Sequence, residues 1–243
     1  MPDDIVYRPV VSFDPTLITP LDHPLAHKKN VTLEDIGPYG LILPPRLAPQ
    51  HVVILPIFRK EEEREPVMAY CESLKQELQA QRYDDRPVRV HLDTRDLNAG
   101  EKGWDWVKKG VPVVLEVGPR DMGNNAVFVG RRDRSRKERF GQDRAEFVAG
   151  IAALLQEIQE GLFARALAYR EEHTRVIADW DEFVAFFTPE NAAKPEIHGG
   201  FALSHWCGDE ACEAKINDQL SVTIRCLPFD SEEYGEGTCI ACG

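Results

Sequence analysis

Four of the six cysteines stand in two short knuckles near the C-terminal end, and they constrain the fold more than any other feature. Cys207-Gly-Asp-Glu-Ala-Cys212 and Cys239-Ile-Ala-Cys242 each put two thiols within reach of one tetrahedron. Two such knuckles complete a four-cysteine site. Four thiolates leave no open coordination position, so the spacing predicts structural rather than catalytic zinc. The rival reading, a pair of disulfides, needs an oxidising compartment, and nothing else in the sequence indicates export. His205, two residues before the first knuckle, reads as a strand or neighbouring residue, with replacement of a ligand as the alternative. Cys71 and Cys226 stand alone in segments that read as a helix and a strand, where a thiol behaves as a small hydrophobe.

Upstream of the knuckles the pattern is that of an α/β domain. Residues 1–40, rich in Pro, Asp and His, show no sustained period and read as an irregular arm or linker. His51-Val-Val-Ile-Leu-Pro-Ile-Phe58 reads as a fully buried strand, and a helix runs from the charged residues 60–64 to about Gln81. Pro87–Asp93 alternates as a second strand, Gly100–Trp106 opens a short helix that ends at Gly110, and Val111–Val117 and Ala126–Gly130 are further strands. The order β-α-β-α-β-β predicts a mixed sheet with helices against it. A long helix follows, with Phe147, Ile151, Leu154, Leu155, Ile158, Leu162, Phe163 and Leu167 at helical spacing as a packing stripe. A smaller unit then carries a helix over Trp180–Phe187, a strand at Phe201–Trp206 and the knuckles. The expected organisation is an arm over 1–40, a mixed-sheet domain over 41–172 and a small α+β zinc domain over 173–243.

The charge balance, 29 basic against 41 acidic residues for a net −12, excludes a protein that coats nucleic acid or anionic membrane indiscriminately. One segment runs against it. Arg131-Arg-Asp-Arg-Ser-Arg-Lys-Glu-Arg139 carries six bases and two acids and reads either as a solvated loop or as a phosphate-contacting patch. Trp104 and Trp106 are candidates to stack on unpaired bases, but their i, i+2 spacing turns them to different sides of a helix, so at least one is core. No apolar run reaches the ~18–20 residues of a membrane span, and the start lacks the basic residues of a signal peptide. Gly100-Glu-Lys-Gly103 is too short to cradle a phosphate chain.

Several motifs together resemble the C-terminal region of prolyl-tRNA synthetases of the archaeal/eukaryotic-like type. They are Leu41-Ile-Leu-Pro-Pro-Arg-Leu-Ala-Pro49, His91-Leu-Asp-Thr-Arg-Asp96, Lys109-Gly-Val-Pro112, Glu116-Val-Gly-Pro-Arg-Asp121, Tyr169-Arg-Glu-Glu-His-Thr174, Gly200–Cys212 and Arg225-Cys-Leu-Pro-Phe229. The resemblance implies a five-stranded mixed-sheet anticodon-binding domain followed by a zinc domain. It implies tRNA contacts at Arg120, Asp121 and Lys137, to which the basic run adds Arg131 and Arg132. Two positions depart from the family: Val107 stands where a guanine-reading glutamate is expected, and Val114 where an arginine is expected. Residues 1–40 contain a single arginine, Arg8, and nothing like a class II catalytic motif. ATP and proline would therefore be used only with a separate catalytic domain. The expected function is a non-catalytic, cytoplasmic tRNA-binding part or paralogue, contacting neither membrane nor DNA. The alternatives are the C-terminal portion of a proline–tRNA ligase acting with a synthetase catalytic chain, and a protein-interaction paralogue without RNA.

Overall fold

Val52–Pro56 is buried along its whole length, and this decides the middle of the first sheet. A computed structural model describes residues 42–189, 200–229 and 235–243, which fall into two units meeting in sequence at Glu172 and His173. The expected arm over 1–40 lies outside the described residues. In the first unit, β1 (Val52–Pro56) lies between two parallel neighbours, β4 (Val90–Leu92) and β5 (Val113–Val117). A strand so placed, with helices on both faces, has no solvent side, hence the unbroken apolar run. The antiparallel strands β6 (Ala126–Arg131) and β7 (Phe140–Asp143) extend the sheet in the order β4-β1-β5-β6-β7. The mixed five-stranded sheet is therefore as expected.

Two helices cover one face. α1 (Glu61–Ala80) buries Val67, Cys71, Leu74 and Leu78, and α4 (Arg144–Glu172) buries Phe147, Val148, Ile151, Leu155 and Ile158, against Val113, Leu115, Val127 and Val129 of the sheet. Beyond Leu162, which still packs on the core, the apolar stripe of α4 leaves it, and Phe163 is 65% exposed. By length and composition α4 is apolar enough to cross a membrane, yet its first half is core. The other face is covered only in part. α2 (Ala99–Lys108) packs Trp106 on Val53, Leu55, Val111 and Val114, over β1 and the near side of β5.

The segment around Cys226, read as a strand, is not one and its thiol is exposed, and three elements of the first unit also differ from the sequence reading. The strand expected over Pro87–Asp93 is split: a hairpin joins β2 (Arg82–Tyr83) to β3 (Arg86–Pro87), and β4 follows. Asp84 and Asp85 both take positive φ, 50° and 58°, as a tight two-residue hairpin turn requires. A short helix α3 (Pro119–Gly123) joins β5 to β6. Strand β7 reads Phe-Gly-Gln-Asp, too polar for the apolar pattern to reveal, and is held by pairing with β6.

The second unit is built on the cysteines. β8 (Thr174–Val176) pairs in parallel with β9 (Phe201–Leu203), shorter than the strand expected to Trp206. α5 (Trp180–Phe187) and α6 (Glu210–Leu220) start at Asp179 and Asp209, whose carboxylates accept from the N–H groups of Glu182 and Ala211. The core joins Ile177, Phe183 and Ile216 to Cys212, Cys239, Ile240 and Ala241, so the knuckles are part of the packing.

Candidate nucleic-acid interface and metal centre

Strand pairing sets the floor of a concavity on the partly covered face of the first unit. Val114 pairs with Gly130 and Glu116 with Phe128, so these four residues share that face, opposite Val113, Leu115, Val127 and Val129. Antiparallel strands tolerate one solvated face, and α2 covers this stretch only at Val114, where Trp106 packs. The concavity, of about 110 Å3, is walled on one side by Gly103, Trp104 and Val107 of α2 and on the other by Arg131, Arg132, Arg136 and Arg139. Trp104 is 40% exposed, whereas Trp106 is 7% exposed, so of the two tryptophans Trp106 is the core residue.

A buried carboxylate holds α2 in place. Asp93, at the end of β4 and without solvent exposure, accepts from Arg95 Nη2 at 2.7 Å and from Trp106 Nε1 at 2.8 Å. Burial alone would raise its carboxyl; the bonds from Arg95 and Trp106 outweigh it and hold the group well below the usual carboxylate range. Arg95 also bonds Asp105 at 2.8 Å, so one guanidinium ties the strand end to the helix. A larger concavity of about 540 Å3 lies next to it, outside the carboxyl ends of β1 and β4, walled by Phe58, Arg64, Met68, Asp96 and Lys102.

The basic run is mostly engaged within the fold. Arg131 bonds Asp133 at 2.8 Å and Glu157 at 2.9 Å with its side chain 7% exposed, and hydrogen bonding to Asp133 raises its pKa further. Arg134 shares Glu157, and Arg139 bonds Glu116 at 2.6 Å. Gly130 makes room for that last pair: a Cβ there would sit 3.1 Å from Arg139 Nε. Arg132 is half-buried, and desolvation, then the charges of Arg136 and Arg139, lower its pKa. Arg136 and Lys137, on a 3-10 turn (Arg136–Glu138) capped by Ser135, are exposed and enter no ion pair among the described residues.

The structure thus brings Arg131 and Arg132 to the concavity, but Arg120, Asp121 and Lys137 do not line it. Arg120 is exposed on α3. Asp121 turns back to accept from the N–H of Gly118 at 2.9 Å, so it caps α3, and no ion pair joins it to Arg120 among the described residues. Arg136 and Arg139 belong to the run read as a phosphate-contacting patch, whereas sequence reasoning missed Glu116 as a member of this site. The alternation of β5 places Glu116 on the same face as Val114, which was the signal available.

In the second unit the four knuckle sulfurs all lie within 4.8 Å of one another, with Cys207 Sγ and Cys212 Sγ 3.6 Å apart. A tetrahedral ion with metal–sulfur bonds of ~2.3 Å requires sulfurs ~3.8 Å apart, and a disulfide requires ~2.05 Å. The spacing fits one shared metal ion and no disulfide, and all four cysteines are free. Burial opposes ionisation of Cys239, yet the backbone N–H groups of Ala241, Cys207 and Cys242 outweigh it and lower its thiol to about 6. Hydrogen bonding to Cys207 pushes Cys212 up to about 12. His205 is not in the cluster; its Nε2 meets the Gly235 carbonyl at 3.0 Å.

Comparison with known proteins follows the same division. Residues 51–154 match the family model described as anticodon binding domain, and residues 191–243 the one described as prolyl-tRNA synthetase, C-terminal. Proline–tRNA ligase 2 of Anaeromyxobacter dehalogenans is 55% identical over 208 residues, which is 84% of this chain and 40% of that protein. The proline–tRNA ligases of Protochlamydia amoebophila and Bdellovibrio bacteriovorus are each 47% identical, over 205 and 204 residues, with the same coverage. The chain spans about 40% of the length of these relatives, and their catalytic domain is not within the matched segments. By both matches and by the pairing of a mixed sheet with a cysteine cluster, the chain carries an anticodon-binding domain followed by a prolyl-tRNA synthetase C-terminal domain.

Proposed function

We propose that this chain is a tRNA-binding part of a prolyl-tRNA synthetase system, acting in the cytoplasm, with zinc as a structural ion in its second unit. The observation that carries the reading is the concavity between α2 and the arginine-rich loop, which sets an exposed Trp104 opposite several guanidinium groups. Cations attract the RNA backbone, and an exposed ring accepts an unpaired base; neither requirement conflicts with a net charge of −12, because the contact is local. Arg120 and Lys137 add exposed charge for phosphates outside the concavity. Gel shift of a proline-tRNA transcript at low salt tests this reading, with a shift expected below about 1 µM, tighter than the ~1–100 µM of typical non-specific binding. Absence of a shift would overturn it.

The donor set supports zinc over harder cations, because four thiolates suit a borderline-soft ion and offer no oxygen ligand. Cys207, Cys212, Cys239 and Cys242 would hold it, and it would supply a cross-link between the start of α6 and the C-terminal residues. Elemental analysis is expected to give about one zinc per chain.

A second reading is favoured by the coverage of 40% of relatives named proline–tRNA ligase: the chain works with a catalytic domain that uses ATP and proline. Chain 1–243 alone is expected to show no proline-dependent pyrophosphate exchange. Restoration of aminoacylation by an added synthetase catalytic domain would support this reading, and failure to restore it would favour a stand-alone binding role.

A further inference from the structure

We propose that His205 is a positioning residue for the metal centre, latching the loop of the second cysteine knuckle onto the segment before the first. The latch gathers the four thiols for an incoming ion and slows the ion's escape. The inference rests on the zinc reading above and adds a residue, outside the four ligands, that sets how firmly the ion is held.

Cys212 and Cys239 are far apart in sequence, so the two halves of the site must be brought together at a cost in chain entropy. Contacts that hold the halves together before the ion arrives reduce that cost. His205, two residues before Cys207, makes three such contacts to residues 235–240. Its backbone carbonyl accepts from the N–H of Ile240, inside the second knuckle, at 2.9 Å. Its Nε2 lies 3.0 Å from the Gly235 carbonyl; a carbonyl only accepts, so Nε2 carries the hydrogen and donates.

The third contact is the ring against Gly237. A Cβ built on Gly237 would lie 2.5 Å from Cε1 and 2.6 Å from Cγ of His205, well inside contact distance. Backbone conformation does not demand glycine there, because Gly237 is not among the residues of positive φ, whereas Gly235 is, at 69°. The His205 ring is what excludes a side chain. Lys215 of α6 bonds the Ala241 carbonyl within the knuckle itself, whereas His205 also restrains the approach to it, at Gly235 and Gly237. With four sulfurs already within 4.8 Å of one another, the ligand set is complete without the imidazole.

Zinc loss from the whole chain to excess chelator, followed with a metallochromic indicator, tests the latch. His205→Ala is expected to release zinc at least about tenfold faster than the parent. His205→Gln, whose Nε2 stands the same number of bonds from the backbone, should recover most of the difference. Gly237→Ala should also speed release about tenfold by pushing the ring aside, yet add nothing in the His205→Ala background, where no ring is left to push. The Co(II) forms of the parent and of both His205 variants should share one four-thiolate absorption spectrum, the sign of an intact site in which His205 is no ligand. A cobalt spectrum altered by His205→Ala would overturn the inference, as would a Gly237→Ala effect that adds in full to that of His205→Ala. If the parent holds zinc and every variant releases it at the parent's rate, the latch falls and the zinc reading stands. If the parent takes up no metal, both fall.

Discussion

Salt dependence separates the bases that are free to meet phosphate from those that the fold has already used. The run Arg131–Arg139 contains six cations. If all of them neutralised phosphates, a single-stranded ligand would bind with a log–log salt slope near −4, taking about −0.7 per contact. Affinity would then fall roughly 300-fold between 50 and 200 mM salt. The structure argues for far fewer. Arg131, Arg134 and Arg139 are tied to Asp133, Glu157 and Glu116 at 2.6–2.9 Å, and Arg132 is half-buried, which leaves two exposed cations in the run. Arg136, Lys137 and Arg120 are exposed and enter no ion pair among the described residues. Three contacts give a slope near −2 and a loss of about 16-fold over the same range. Anisotropy titrations of a labelled unpaired oligonucleotide at several salt concentrations would measure it. Arg136→Ala and Lys137→Ala should each make the slope shallower by about 0.7, while Arg131→Ala should leave it unchanged. A slope near −4, or one that Arg131→Ala makes shallower, would refute the assignment of these ion pairs to the bound state.

Other measurements probe the supports of the two sites. His51 is 1% exposed; burial, then the charge of Arg89, lowers its pKa to about 4, against an ordinary 6.5. The unfolded chain therefore takes up a proton between pH 6.5 and 4 that the folded chain refuses. This contribution to stability is complete above pH 6.5 and falls by about 3 kcal/mol as pH drops to 4. Denaturant unfolding of the parent and His51→Gln across that range should show the difference, and parallel pH profiles would contradict it. Asp93→Ala leaves the buried Trp106 N–H without its acceptor, at about 1–3 kcal/mol, and loosens α2; a lower melting temperature together with weaker RNA binding is expected. Cys212→Ser should abolish stoichiometric metal and expose the second unit to proteolysis, and mild acid should release metal as the thiols protonate. Retention of a full equivalent of metal in Cys212→Ser would count against the four-cysteine site.

The parts of this fold that were legible are those whose signal is local. Val52–Pro56 declares itself by an apolar run, and the knuckles by spacing that only a few chemistries use. Strand β7 was not legible because Phe140-Gly-Gln-Asp has no alternation, and pairing with β6 alone makes it a strand. The hairpin of Asp84 and Asp85 was missed because positive φ at both turn residues is more familiar in Asn-Gly than in Asp-Asp. The basic run shows the same limit in charge. Its composition suggested a phosphate-binding patch, but Glu116 and Glu157, which occupy three of its arginines, lie 15 and 18 residues from its ends in sequence. Their proximity is a product of α4 and β5, and of nothing in the segment itself. Asp121 likewise resembles a base-reading acid in its motif, whereas the structure turns its carboxylate back onto its own helix start.

Gly130 controls which polar groups the concavity presents. A side chain at that position meets the Arg139 guanidinium at 3.1 Å and the Val114 carbonyl at 3.4 Å, so Arg139 must shift by a few tenths of an ångström and its 2.6 Å bond to Glu116 is strained. Displacing Arg139 would return an acceptor to the floor and a donor to the rim, the two kinds of group that base discrimination needs. The polar groups of the concavity can thus be re-set without adding a polar residue, by a single substitution at a glycine of its floor.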